Sequence, residues 1–86
     1  METRPCVVIS PDEMNTALDM VIIAPLTSTI RSYPSRITVN VTGKKGQICL
    51  AQLRTVDQER LYKKISTLEQ AARANVCDLL VEMFEF

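Results

Sequence analysis

The sequence predicts a small, mainly β domain with α-helical additions, in which a mostly antiparallel sheet is covered by one C-terminal helix. Short runs of β-branched residues, typical of buried strands, recur in the front half of the chain. Two further runs flank the only two glycines, Gly43 and Gly46, which is the pattern of a β-hairpin. Apolar residues at helical spacing close the sequence. A chain of 86 residues is expected to form one domain.

The stretch from Val21 to Thr29 predicts a buried strand that ends in three hydroxyl side chains. Pro25 cannot donate to a sheet ladder, so we expect regular pairing to loosen there. Thr27 and Ser28 would then stand at a strand end, where a scaffold can hold binding or catalytic groups open to solvent. The alternative is that these hydroxyl groups serve only as turn or capping residues, which is their commoner use after a strand.

The elements around this strand are predicted from local patterns. Residues 6–9 form a short apolar strand, and Ser10 caps a helix of one or two turns that ends near Leu18. An alternating strand over 36–41, a turn over 43–46 and a long, mostly apolar central strand over 47–53 form the hairpin.

The C-terminal third is predicted to be largely helical. A single helical turn is expected over 57–61, followed by a brief strand or extended connector over 62–65. Ser66 and Glu69 form a capping box for a helix from about Thr67 to Phe84, which lies across the sheet. Three apolar side chains lie partly off its buried face, which indicates either a dimer contact or a frayed apolar terminus: Val81, Phe84 and Phe86.

Charge and cysteine content limit the class of protein. Ten basic and ten acidic residues cancel, so any contact with a polyanion must come from a local patch. Cys6, Cys49 and Cys77 are widely spaced among aliphatic neighbours, which predicts reduced core thiols in a cytoplasmic protein and no zinc site. No apolar run approaches the ~20 residues of a membrane helix, so we expect no membrane contact.

Many catalytic arrangements are excluded by composition. The sequence contains no His, which removes Ser-His and Cys-His pairs and His-based metal sites. Its two glycines belong to the hairpin, so there is no glycine-rich phosphate loop. Polar groups at predicted strand ends remain, and their convergence would form a pocket of cationic and hydroxyl donors suited to a phosphate. These residues are Arg4, Thr27, Ser28, Gln52, Arg54 and Thr55.

Three stretches resemble successive motifs of the MazF/PemK toxin family. They are Arg4 to Ser10, Val21 to Ser28 and Gln52 to Leu61, and together with the closing helix they extend the resemblance over nearly the whole chain. The resemblance implies an SH3-like, CcdB/MazF-type β-barrel with a C-terminal helix, usually a homodimer. It also implies a sequence-specific endoribonuclease that needs no metal or other cofactor, cleaves single-stranded RNA and is blocked by a cognate antitoxin.

The resemblance assigns roles to individual residues. Arg4 and Thr27 match the catalytic arginine and threonine of the family, and the implied reaction leaves a 2′,3′-cyclic phosphate and a 5′-hydroxyl. A guanidinium suits the stabilisation of negative charge but not proton abstraction, because its pKa lies above ~12. Four further residues would line or support the RNA groove: Ser28, Gln52, Arg54 and Thr55.

Two departures from the family pattern bear on activity. Some members carry an aspartate where this chain has Ala51, so the resemblance does not identify the group that removes the 2′-proton. Family members also place a further strand and a long loop before the Arg-Pro pair, whereas here only Met1 to Thr3 precede Arg4. We therefore expect a single, N-terminally shortened domain over 1–86 with an unpaired barrel edge and impaired cleavage. The alternative function is a non-catalytic dimeric module that binds an antitoxin peptide or a partner subunit.

Overall fold

A computed structural model describes residues 4–61, 64 and 66–85. Its five strands form a curled antiparallel sheet, a half-barrel, and the longer helix follows them at the C-terminal end, so the predicted mainly β fold is confirmed. In chain order the elements are β1 (Cys6–Val8), α1 (Asp12–Leu18), β2 (Met20–Thr27), β3 (Arg36–Val41), β4 (Lys44–Cys49), β5 (Arg54–Asp57) and α2 (Gln70–Met83). Two 3-10 turns, Leu50–Gln52 and Gln58–Arg60, flank β5.

Strand β2 is the centre of the sheet. The strand order is β1-β2-β4-β3, and β5 also pairs with β2. One edge of β2 pairs with β1, whereas the other pairs first with β5, from Met20 to Ile23, and then with β4, at Leu26 and Thr27. The strand that ends in the hydroxyl run, and not the one predicted over 47–53, therefore contacts three others.

The predicted loosening of the ladder at Pro25 is wrong, and the register explains why. Pro25 lies opposite Cys6, and pairing continues to Thr27. The residues on either side of Pro25 direct their backbone N–H and carbonyl groups towards β1. The N–H of Leu26, for example, donates to the carbonyl of Pro5 at 3.1 Å. The nitrogen of Pro25 therefore faces the other edge, between the last residue paired with β5 and the first paired with β4, where no ladder donor is needed.

The hairpin is confirmed, but its turn is tighter than predicted. Val41 pairs with Lys44, so the turn consists of Thr42 and Gly43, both of which have positive φ (49° and 81°). Two positive φ values match the twist of adjoining strands, which favours such two-residue turns. Gly46, predicted as a turn residue, instead lies within β4.

The predicted long strand over 47–53 ends at Cys49. Leu50 is fully buried, and its N–H donates to the carbonyl of Ser35 at 3.1 Å. The 3-10 turn that begins there carries the chain from β4 to β5, so that both strands can pair with the same edge of β2. The apolar pattern over 47–53 could not predict this bend, because the bend depends on the pairing of both strands with β2.

Both helices occur where the sequence predicted them, but neither uses the predicted cap. The hydroxyl of Ser10 donates to the side-chain oxygen of Asn15 and accepts from the N–H of Ile22 at 2.9 Å, so it ties the chain to β2 and does not cap α1. Helix α2 begins after Glu69 and has no side-chain cap, so the capping box at Ser66 is wrong.

The core lies between one face of the sheet and α2. Its buried members come from β2, β3, β4, the 3-10 turn after β4, and α2: Ala24, Ile37, Val39, Ile48, Leu50 and Val76. The presence of Val76 among them confirms the predicted covering helix. Of the three cysteines only Cys49 is buried, whereas Cys77 is exposed on α2, so the prediction of three core thiols is wrong.

Several predictions concern residues at the margins. The short 3-10 turn over Gln58–Arg60 confirms the single helical turn predicted near residue 57. The strand predicted over 62–65 falls largely outside the described residues, as does Phe86, whereas Val81 and Phe84 are 67% and 60% exposed. Among the described residues no helix is long and apolar enough to cross a membrane.

Candidate functional site

The pairing of β1 with β2 places Arg4 opposite Thr27. Cys6 pairs with Pro25, and the bond from Leu26 to Pro5 carries the same register one residue further. The next pair in this register is Arg4 and Thr27. Pairs of this non-hydrogen-bonded type bring side chains closer together than the alternate pairs do. The register therefore places the two predicted catalytic residues opposite each other at this end of the sheet.

A row of four residues crosses the sheet on this face. Thr27 also pairs with Gln47 of β4, which in turn pairs with Thr38 of β3. Because successive side chains of a strand alternate between faces, Arg4, Thr27, Gln47 and Thr38 share the face opposite the core. We call this the site face.

The Thr27 hydroxyl is oriented by the backbone that follows it. Its oxygen accepts a hydrogen bond from the N–H of Thr29 at 3.1 Å. An hydroxyl that uses a lone pair in this way still has its own proton to donate. Thr27 is half-buried, so the hydroxyl is held by the fold while remaining accessible from the site face.

Gln47 fastens the loop that follows Thr27, and sequence analysis did not single it out. Its side-chain oxygen accepts from the Arg31 N–H at 2.9 Å, and its amide nitrogen donates to the Arg31 carbonyl at 3.1 Å. Arg36 adds a second tie, since its guanidinium donates to the Thr29 carbonyl at 2.9 Å and lies 5.2 Å from the ring centre of Tyr33. The signal available in the sequence was the polar side chain of Gln47 at the start of a strand predicted to be mostly apolar.

Arg54 and Gln52 flank the other side of β2. Arg54 pairs with Ile23, four residues before Thr27, and shares the site face with it. Gln52 lies in the 3-10 turn between β4 and β5, where β2 changes partners. Burial raises the pKa of the Cys6 thiol, and the positive charge of Arg54 acts in the opposite direction.

The other two predicted RNA-binding residues have different positions. Ser28 is exposed and directly follows β2, next to Thr27. Thr55 is also exposed, but it alternates with Arg54 along β5 and lies on the opposite face of the sheet. By register and alternation, Arg4 is therefore opposite Thr27, Ser28 follows Thr27, and Arg54 shares the face of Thr27 further along β2, whereas Thr55 lies on the opposite face.

Gly46 allows β4 to approach Thr27 closely. A Cβ atom at this position would lie 3.0 Å from the Thr27 carbonyl oxygen and 3.6 Å from Cδ1 of Leu26. Such a distance requires the backbone of β2 to shift. The absence of a side chain at Gly46 thus sets the position of the residue that carries the candidate hydroxyl.

The site face concentrates positive charge in a chain of zero net charge. Arg4, Arg36 and Arg54 all lie on it. Because the chain has no net charge, contact with a polyanion needs a local positive patch of this kind. Within the described residues no cluster of His, Cys, Asp or Glu could hold a metal ion. An open groove of about 1160 Å³ lies elsewhere, lined by residues such as Val7, Ser10 and Val76.

Comparison with known families gives one match. The family described as PemK-like, MazF-like toxin of type II toxin-antitoxin system matches residues 1–84. Comparison with curated proteins finds no match.

Several solved structures have a similar fold. An endoribonuclease in complex with its cognate antitoxin from a Mycobacterial species is 16% identical, with a TM-score of 0.87 over 99% of this chain and 85% of that chain. An Mtb toxin is 18% identical, with a TM-score of 0.85 over 98% of this chain and 96% of that chain. The MazF of a MazE-MazF complex from Deinococcus radiodurans is 24% identical, with a TM-score of 0.81 over 93% and 80%. At these identities the likeness shows a shared fold.

Proposed function

This chain belongs to the PemK-like, MazF-like toxins of type II toxin-antitoxin systems, and from that premise we propose that it is an endoribonuclease that cleaves single-stranded RNA. The observation that carries the proposal is the register that places Arg4 opposite Thr27 on the site face. One protein of similar fold is described as an endoribonuclease bound to its cognate antitoxin.

The proposed reaction is a phosphoryl transfer within the RNA. The ribose 2′-hydroxyl attacks the adjacent phosphorus and releases its proton to solvent, while the bond to the 5′-oxygen of the next nucleotide breaks and that oxygen takes up a proton from solvent. The products are a 2′,3′-cyclic phosphate and a 5′-hydroxyl. Arg4 and Thr27 supply N–H and O–H donors to the non-bridging oxygens, on which negative charge accumulates in the transition state. Such donors do not require a metal ion.

The flanking residues would bind the RNA on either side of the cleaved bond. Arg54 supplies a charged contact to a backbone phosphate, and Ser28 and Gln52 supply neutral donors. Thr55, on the opposite face, remains a candidate only for a strand that wraps around the edge of β5. Because phosphate contacts release counterions, binding should weaken as salt rises.

The proposal includes a cognate antitoxin and a second copy of the chain as partners. Antitoxin-bound structures among the similar folds support the first partner. The exposed apolar side chains of Val81 and Phe84 on α2 offer one surface for the second. We place the protein in the cytoplasm, where RNA and reducing conditions coincide, and we propose that residues 1–86 form a single domain.

Cleavage of a long unstructured RNA in EDTA tests the nuclease. We expect Arg4→Ala and the isosteric Thr27→Val each to slow cleavage roughly a hundredfold to a thousandfold, the effect of removing one such donor. The matched control is Arg73→Ala, which removes an exposed guanidinium on α2 and should leave cleavage unchanged. Full activity of Arg4→Ala would refute the assignment.

The second candidate function is antitoxin binding without catalysis. If the wild-type chain cuts no RNA but still binds an acidic antitoxin tail, the binding module replaces the nuclease. Growth of cells that express the chain gives the same answer in vivo, because only the nuclease arrests it.

A further inference from the structure

The carboxamide of Gln47 is the best-satisfied buried polar group in the described part of the chain. The residue is 5% exposed, and its side chain makes four hydrogen bonds. The oxygen accepts from the Arg31 N–H and from the Arg36 guanidinium, and the nitrogen donates to the Arg31 carbonyl and to the Thr38 hydroxyl. Four bonds exhaust what a carboxamide can form.

Two of these bonds fix the orientation of the amide. Both the N–H and the carbonyl of Arg31 are bonded to Gln47, at 2.9 and 3.1 Å, as they would be to a neighbouring strand. Reversing the amide would set donor against donor and acceptor against acceptor. The side chain therefore substitutes for a strand and fastens the loop over residues 28–35 to β4.

A continuous series of hydrogen bonds leads from this amide to the Thr27 hydroxyl. The Arg36 guanidinium bonds both to the Gln47 oxygen, at 3.2 Å, and to the Thr29 carbonyl, at 2.9 Å. The N–H of Thr29 in turn donates to the Thr27 hydroxyl oxygen at 3.1 Å. Holding Thr29 in place therefore keeps one lone pair of that oxygen occupied and leaves its proton free to donate.

We propose that Gln47 is a positioning residue for Thr27, which acts through the loop over residues 28–35 and aims the hydroxyl proton at the scissile phosphate. The proposal rests on the proposed function, since it assigns the hydroxyl a role in cleavage. It gives Gln47 a role that is exerted through other residues. Burying the Gln47 carboxamide costs little because each of its polar atoms is hydrogen-bonded.

The first test measures structure and needs no activity. Gln47→Met keeps the length of the side chain and removes all four bonds, whereas the control Thr38→Val removes only the bond that does not reach the loop. By NMR we expect faster exchange of the Arg31 amide and averaged χ1 couplings of Thr27 in Gln47→Met alone. Unchanged exchange and couplings would overturn the inference.

The second test measures cleavage. We expect Gln47→Met to lower kcat about tenfold to a hundredfold, as small misplacements of a reacting group do, with a smaller change in KM. Thr38→Val should stay within about twofold of the wild type. Gln47→Glu keeps the acceptor oxygens but loses the donors, and we expect an intermediate kcat.

A double-mutant cycle separates positioning from general destabilisation. If Gln47 acts through the hydroxyl, Gln47→Met should cause no further loss in a Thr27→Val background. Additive losses in kcat would overturn the inference, and so would a fall in kcat that only follows a fall in Tm. Neither result would contradict the proposed endoribonuclease function. If the wild type cuts no RNA, the nuclease falls, and with it the role of Gln47 in cleavage; the NMR test then decides only whether Gln47 fixes the loop.

Discussion

The two faces of the sheet are built from the same strands yet are held by different interactions. The core face carries Ala24 and Ile48, which pack beneath Val76 of α2. The site face carries Thr27 and Gln47, which are fixed by hydrogen bonds to a loop. Since alternate residues of β2 serve the two faces, a slip of one residue would exchange them. Loss of a buried side chain on the core face should therefore mainly alter stability, whereas changes at Thr27 or Gln47 should mainly alter chemistry.

The largest expected effect tests the core face. Ile48 is fully buried, so Ile48→Ala removes packed methyl groups and leaves a cavity. We expect a loss of about 2–5 kcal/mol in the free energy of unfolding and a fall in Tm of roughly 10 °C or more. Urea unfolding measures it, with Thr38→Ala, exposed on the other face of the same sheet, as the control. A loss below about 1 kcal/mol would contradict the assignment of the core.

Gly46→Ala tests the contact between the faces. The added Cβ would meet the Thr27 carbonyl at 3.0 Å and must displace β2, so we expect a loss of about 1–3 kcal/mol in stability. Cleavage should fall by roughly tenfold or more, because the shift moves the candidate hydroxyl. RNA cleavage by the folded fraction is the measurement, and unaltered kcat would show that β2 tolerates the displacement.

Gly43→Ala is the matched control for that comparison. A Cβ at Gly43 has no heavy atom within 4 Å, but the residue has a φ of 81°. We expect only the conformational cost of about 1–2 kcal/mol that a left-handed alanine carries. Cleavage per folded molecule should stay at the wild-type level, and a large loss there would show that the hairpin turn itself contributes to the site.

The smallest expected effect concerns the rates at which the three cysteine thiols are alkylated, which depend on pH. Cys77 is exposed, Cys6 is half-buried and Cys49 is buried, so iodoacetamide should alkylate them in that order. Burial raises the pKa of the Cys6 thiol, which lowers its thiolate fraction at neutral pH and delays its reaction until the pH is higher. Arg54→Gln should slow Cys6 further, because the opposing positive charge is gone. Mass spectrometry of the peptides measures the order.

Much of the fold could be predicted because it is encoded locally. The apolar run that starts at Val21, the alternation over 36–41 and the helical spacing near Val76 each point to the element that the structure contains. Arg4 and Thr27 were selected as strand-end residues and by family resemblance, and their apposition follows once β1 and β2 are paired.

The remaining features depend on contacts between residues distant in the chain. Ser10 has the local form of a helix cap, yet its hydroxyl serves Asn15 and the backbone of Ile22. Leu50 ends a strand early because the chain must turn towards β2. Gln47 reads as one polar residue in an apolar strand, and its purpose becomes visible only when Arg31, 16 residues earlier, lies against it.

The sharing of β2 among three strands has a thermodynamic consequence. Because β1 pairs with one edge of β2 while β5 and β4 pair with the other, opening the middle of β2 breaks ladders on both of its edges. The amides in the middle of β2 should therefore be among the slowest of the chain to exchange with solvent. A molecule that keeps β2 paired therefore keeps the backbone of Thr27 in place, and the orientation of the Thr27 side chain is left to the loop over residues 28–35.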